Sequence, residues 1–127
     1  MNKIVTKQLV IINSQITGNI EMLSEQKWNL LNNAAAAPFE LNENYYYIHK
    51  TLAAKAAKLG CELTKLRPFK EQNELTALVA SLTMIEINGC RLFDYKKDID
   101  ELKDSLKRND ISGAERWLSA HTIDNSF

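Results

Sequence analysis

Helix breakers are scarce in this chain. Its 127 residues carry four glycines and two prolines, and no Ser/Gly/Pro-rich stretch divides them, so the whole of 1–127 reads as a single domain. No internal repeat is present, and the one low-complexity tract, Ala34 to Ala37, sits inside a helical pattern. Alternating apolar and polar stretches of strand type are also missing, which leaves an all-α fold. Two cysteines, Cys61 and Cys90, are too few for a disulfide framework and read as buried thiols in a reducing compartment. No apolar run approaches the ~20 residues of a membrane span. The opening Met1-Asn-Lys-Ile-Val-Thr-Lys7 lacks the apolar core of a signal peptide, so a cytoplasmic protein is expected. Sixteen basic residues balance sixteen acidic ones, and no bulk field draws the chain to nucleic acid or to an anionic membrane.

What is present is helical periodicity. Thr6 can cap a first helix with Leu9, Ile12 and Ile16 on one face, ending near Gly18. A second is expected from Ser24, with Trp28, Leu31 and Ala35 inward, stopped by Pro38; Phe39 to Asn44 is polar and loop-like. The clearest stripe is Tyr45, Ile48, Leu52, Ala56, Leu59, Leu63 and Leu66, at three- and four-residue steps. Gly60 in that stripe lowers helix propensity by about 1 kcal/mol relative to alanine, which fits a close neighbour. After Pro68, a fourth helix carries Leu75, Leu78, Val79, Leu82 and Ile85, closed by Asn88-Gly89. Because Ala77, Ala80, Met84 and Ile87 extend its apolar surface, it is expected to lie at the centre of the bundle. Lys96 to Arg108 is an amphipathic surface helix with Ile99, Leu102 and Leu106 inward. Ser112-Gly-Ala-Glu115 reads as a capping box before a last helix bearing Trp117 and Leu118. The core therefore spans about 5–120, and 121–127 is expected to be a flexible tail.

The most specific segment is Arg67-Pro-Phe-Lys-Glu-Gln-Asn-Glu-Leu-Thr-Ala77, which runs into a helix ending Ile87-Asn-Gly89. It resembles the pattern His-Pro-Phe-x-Asp/Glu-Gly/Ala-Asn-Lys-Arg-Thr-Ala of the death-on-curing (Doc) branch of the Fic family. The small-residue helix before it (Thr51 to Gly60), the Met84-Ile-Glu-Ile-Asn-Gly89 turn, and the charged and Trp-Leu helices that follow extend the resemblance. With Trp28-Asn-Leu-Leu31 and Ala35-Ala-Ala-Pro-Phe39 upstream, it covers roughly residues 5–120. It implies a compact bundle of about six helices around a buried central helix. It also implies a chemistry that moves a phosphate or nucleotidyl group from a nucleoside triphosphate onto a protein hydroxyl.

That chemistry needs a base, a metal and an anion cradle. The family's His position holds Arg67, and a guanidinium carries only donors and no free acceptor, so it cannot take a proton. His49 and His121 lie far away in sequence and read as ordinary satisfied or exposed histidines. Phe69 matches the residue that anchors the loop. Glu71 matches the acid that positions Mg²⁺, although the helix dipole favours a glutamate there without any metal. Asn73 matches, but Gln72 replaces the small residue that lets phosphate approach the backbone. Glu74 and Leu75 replace the Lys-Arg pair, exchanging two positive charges for one negative charge. At an effective dielectric of ~20, one misplaced charge ~4 Å away is worth about 4 kcal/mol. Leu75 falls on the apolar stripe and is expected to pack inward, while Arg67 is expected to pair with Glu71 or Glu74.

The resemblance thus implies a catalytically inactive Fic/Doc-type protein, with no cofactor, that binds another protein such as a toxin, an antitoxin or a phage or host regulator. Tyr45 to Tyr47 lie where the family's target-binding flap begins. Tyr45 fits the core stripe, leaving Tyr46, Tyr47 and Arg67 as candidate contact residues. The alternative is a divergent transferase using Glu71 for a metal. A DNA-binding regulator has little support, because acids interleave the basic Lys103, Lys107 and Arg108.

Overall fold

The computed structural model describes residues 1–124 and is all-α apart from one short strand pair. Six helices follow in order: α1 (Thr6–Thr17), α2 (Glu25–Ala36), α3 (Leu52–Leu66), α4 (Asn73–Ile87), α5 (Ile99–Lys107) and α6 (Ile111–Ala120). A 3-10 turn, Ala37–Phe39, extends α2. Strands β1 (Cys90–Leu92) and β2 (Thr122–Asp124) pair antiparallel, with Arg91 opposite Ile123. Among the described residues, no helix is long and apolar enough to cross a membrane.

Local signals set the helix ends. Gly18, at φ 82°, closes α1 with its N–H on Ser14 O, a conformation glycine adopts without a Cβ clash. The Ser24 hydroxyl accepts from Lys27 N to start α2, and the Thr51 hydroxyl accepts from Ala54 N to start α3. The last helix is capped by Asp110, which accepts from Gly113 N at 2.9 Å, rather than by the box expected at Ser112. A carboxylate one residue before the helix takes the orphan amide first. The N-terminal strand of chain is clasped to the end of α4: Asn88 Oδ1 accepts from Asn2 N, and Asn88 Nδ2 donates to Asn2 O.

The hub is α3, not α4 as the apolar content of α4 suggested. Ten of its fifteen residues are buried, and it packs against α2, α4, α5, α6 and the 3-10 turn. Small residues (Ala53, Ala54, Ala56, Ala57, Gly60 and Cys61) cover its sides, so neighbours approach closely from several directions. Ser81 of α4 sits directly over this surface and donates to Ala56 O at 2.9 Å. A Cβ on Gly60 would run into Ser81 Oγ and come within 2.8 Å of Leu106 Cδ2. The core extends to Ile4, one residue beyond the expected limit.

Three expectations change with the geometry. The stripe from Tyr45 does not become helix: α3 begins at Leu52, and Tyr45 is 84% and Ile48 52% exposed. Residues 40–48 instead fold into a small hairpin, with Leu41 bridged to Tyr47, Asn42 N donating to Tyr46 O and Ile48 N to Glu40 O. Tyr45, at φ 63°, makes its turn, and a helical reading of that residue is excluded. On α4, Leu75 is 40% exposed, because the buried side runs through Thr76, Ala77, Ala80, Ser81 and Met84. Small residues there suit the close approach to α3 better than leucine does. Finally, 121–124 is ordered structure rather than a flexible tail: His121 stacks on Trp117 with ring centroids 4.0 Å apart, and 122–124 form β2. Residues 125–127, the rest of that expected tail, lie outside the described residues.

Gly60→Ala tests the α3–α4 contact. Helix propensity alone would add about 1 kcal/mol, whereas overpacking against rigid neighbours removes about 1–3 kcal/mol. A net loss of up to about 2 kcal/mol is expected in urea unfolding, and a gain would show that the helices can part at this point.

Candidate functional site

The Arg67–Glu74 loop joins the hub helix to α4. Arg67 ends α3 in the left-handed region (φ 47°), its N–H on Leu63 O at 3.1 Å. Pro68 prevents the helix from continuing. Phe69 is buried, and its backbone is held from both sides by one side chain: Asn73 Oδ1 accepts from Phe69 N at 2.9 Å, and Asn73 Nδ2 donates to Phe69 O at 2.7 Å. Gln72, also left-handed at φ 61°, starts α4. From outside, Asn13 of α1 donates to Glu71 O and Thr76 Oγ1, both at 3.1 Å. Glu21 accepts from Lys70 N at 2.7 Å. Asn13 and Glu21 escaped the sequence reading, since a polar residue on an amphipathic helix and a loop glutamate give no distinguishing pattern.

The electrostatics of this corner oppose a polyanion. Glu74 stands in the first turn of α4, where the helix dipole already stabilises its charge. Arg67 Nη1 lies 3.8 Å from Glu74 Oε1, both side chains more than half exposed, an ion pair worth roughly 0–1 kcal/mol. Beside it runs a groove of about 440 Å³ between α4 and α5, with Leu75, Leu78 and Leu106 on its floor. Glu74, Asp100 and Asp104 line its edge against Lys103 and Lys107. Lys103 is within 3.7 Å of Asp100. The Glu71 side chain is exposed, and no group of three or more His, Cys, Asp or Glu among the described residues is placed to hold a metal ion.

Neither histidine joins the loop. His121 is engaged by Trp117 O at 2.8 Å and lies 3.7 Å from Asp98. His49 precedes the first turn of α3, whereas Arg67 follows its last. Burial, and next the Lys58 ammonium, push the His49 imidazole below its usual range. Cys61 is buried in α3, and burial raises its thiol to about 11, which leaves it protonated at neutral pH and inert as a nucleophile.

The candidate contact residues divide between the two ends of α3. Tyr46 and Tyr47 are 69% and 44% exposed and form a shallow surface with Asn42 and Lys50. Tyr47 packs edge-on against Phe39 at 6.0 Å and lies over the first turn of α3. Arg67 caps the far end, about 22 Å away at 1.5 Å per residue, so these residues make two surfaces rather than one. Between hairpin and helix lies Lys55, 1% exposed, which sequence reasoning passed over within an alanine-rich run. Its Nζ donates to His49 O and, at 3.4 Å, to Lys50 O, and sits 4.1 Å from the Tyr47 ring centroid.

No protein-family model matches the chain, and neither a curated protein nor a solved structure matches it significantly.

The loop's stability should depend on Asn73 and not on the ion pair. Asn73→Ala leaves the Phe69 N–H and C=O without partners, and a loss of about 2–3 kcal/mol is expected in chemical denaturation. Glu74→Ala, at an exposed position, should change stability by no more than about 0.5 kcal/mol. Similar effects of the two substitutions would refute this division.

Proposed function

We propose that this chain is a catalytically inactive Fic/Doc-type domain that acts in the cytoplasm by binding another protein, in a toxin–antitoxin or prophage/plasmid-maintenance setting. The observation that carries the reading is the pairing of Arg67 with Glu74 at the start of α4. A guanidinium there cannot serve as base, and a carboxylate occupies the helix terminus where a phosphate would otherwise be favoured. The order of the chain supports the family side of the proposal. A tyrosine-bearing hairpin precedes the small-residue helix, then come a tight loop with a buried Phe and a helix ending in Asn-Gly. Three consecutive tyrosines exposed on a short hairpin support the protein-binding side, since tyrosine combines a large contact area with a polar tip. Folds outlast the reactions they once hosted, and an interface can persist after the chemistry is gone.

Nucleotide titration separates this reading from a divergent transferase that uses Glu71. With ATP, GTP, CTP or UTP and Mg²⁺, thermal stability should stay flat and no label should transfer to protein. A melting-temperature rise with any of them, or transferred label, would favour the enzyme. The variant Arg67→His/Gln72→Gly/Glu74→Lys/Leu75→Arg should acquire triphosphate-dependent stabilisation if the scaffold is of this type.

The binding role is tested by affinity capture from the native host with wild-type protein and a Tyr46→Ala/Tyr47→Ala variant. The wild type should retain a specific protein that the folded variant loses. Retention by both would remove the hairpin from the interface.

A further inference from the structure

The chain contains one Asn-Gly pair, Asn88-Gly89, and it closes α4 at the opposite end from the Arg67–Glu74 loop. Asparagine followed by glycine is the pair most prone to deamidation, because no Cβ screens the backbone nitrogen of the second residue. Gly89 is exposed, at φ 84°, and apart from its chain neighbours no atom lies within 4 Å of where a Cβ would stand. Nothing on that side obstructs water or an approaching carbon.

The folded arrangement nevertheless engages both reacting groups. Asn88 Oδ1 accepts from Asn2 N at 2.6 Å, and Asn88 Nδ2 donates to Asn2 O at 3.0 Å and to Met84 O at 2.8 Å. Gly89 N donates to Glu86 O at 3.1 Å. Asn2 Nδ2 adds a bond to Ile87 O, and Ile4 is buried in the core. Residues 1–4 and the Asn88 amide therefore restrain each other. Only a carboxamide can fill this place, since it must offer an acceptor to Asn2 N and donors to two carbonyl oxygens. A carboxylate has no donor. It would face Asn2 O and Met84 O at the end of a helix whose dipole opposes negative charge.

We propose that Asn88 is a self-modification site, gated by this N-terminal clasp, whose product releases residues 1–4 from α4. When the clasp opens, the Gly89 nitrogen gives its proton to solvent and attacks Asn88 Cγ. The N–Cγ bond forms, the Cγ–Nδ2 bond breaks, and Nδ2 leaves as ammonia with a proton taken from solvent. Water then opens the cyclic imide at one of its carbonyls, leaving aspartate or isoaspartate at 88. One water is consumed and one ammonia released, with no change of oxidation state. The new carboxylate cannot remake the clasp, so the change runs one way. It takes place far from the Arg67–Glu74 loop and holds whether or not the hairpin meets a partner.

Ageing of the wild-type protein in mildly alkaline buffer, followed by peptide mapping of residue 88, tests the gate. Aspartate and isoaspartate should accumulate at Asn88 about tenfold more slowly in the folded protein than in the urea-unfolded chain. Asn2→Pro removes the N–H donor to Oδ1 and the side-chain donor to Ile87 O, and should raise the folded rate about tenfold. A wild-type folded rate equal to the unfolded one, or an Asn2→Pro rate no higher than wild type, would overturn the gate. Folded protein still unmodified after many unfolded-state half-lives would overturn the site itself. A second arm installs the product directly with Asn88→Asp. Tryptic cleavage after Lys3 should become about tenfold faster than in wild type, with hydrogen exchange of the α3 amides unchanged. Unaltered cleavage, or α3 exchange that accelerates in parallel, would overturn the release step.

Discussion

The close approach of α3 and α4 is the constraint on which the rest depends. A serine on one helix reaches a backbone carbonyl of the other, and a glycine leaves the space in which it does so. Bringing two helices this near requires small side chains on both, and both carry them: alanines and Gly60 on one, Thr76, Ala77, Ala80 and Ser81 on the other. The larger residues then pack around this seam. Leu106 of α5 closes over Gly60, Leu59 and Leu63 are buried along the hub, and Trp117 fixes α6 through Asp98 O. The connection between the two helices must be short and must turn sharply, which places a left-handed residue at each of its ends.

Much of this was legible in the sequence, for identifiable reasons. The number of helices, most of their boundaries and the inward residues Leu31, Leu59, Leu63, Leu102 and Leu118 follow from three- and four-residue periodicity, which measures burial directly. Gly60 was legible because glycine in a helix has a cost that packing must answer. The failures share a different cause. Tyr45 and Ile48 continue the α3 stripe by spacing alone, but Asn42 and Asn44 provide a turn that pairs the chain with itself. Leu75 fits an apolar period that the small residues of α4 override, because distance to the neighbouring helix, not hydrophobicity, chooses the buried side. The Thr122–Asp124 strand could not be read locally, since its partner lies some thirty residues earlier in sequence.

The geometry of the candidate corner was legible only in part. Arg67, Gln72, Glu74 and Leu75 were singled out by the motif they resemble, but their arrangement was not. Motif comparison gives no hint that Asn13 braces the loop from α1, nor that Tyr46 and Arg67 stand at opposite ends of one helix. Lys55 was invisible for a plainer reason: a lysine is presumed solvated unless geometry says otherwise.

The backbone of the Arg67–Glu74 connection holds one further implication. Arg67 and Gln72 both occupy the left-handed region, where a residue with a side chain pays about 1–2 kcal/mol that glycine does not. Glycine at either place would satisfy the same turn without that cost. The connection is thus a point of latent mutational freedom, where single changes could raise the melting temperature without repacking any helix. A chain that keeps arginine and glutamine there keeps stability unused, and the domain's tolerance for alterations elsewhere is smaller by that amount.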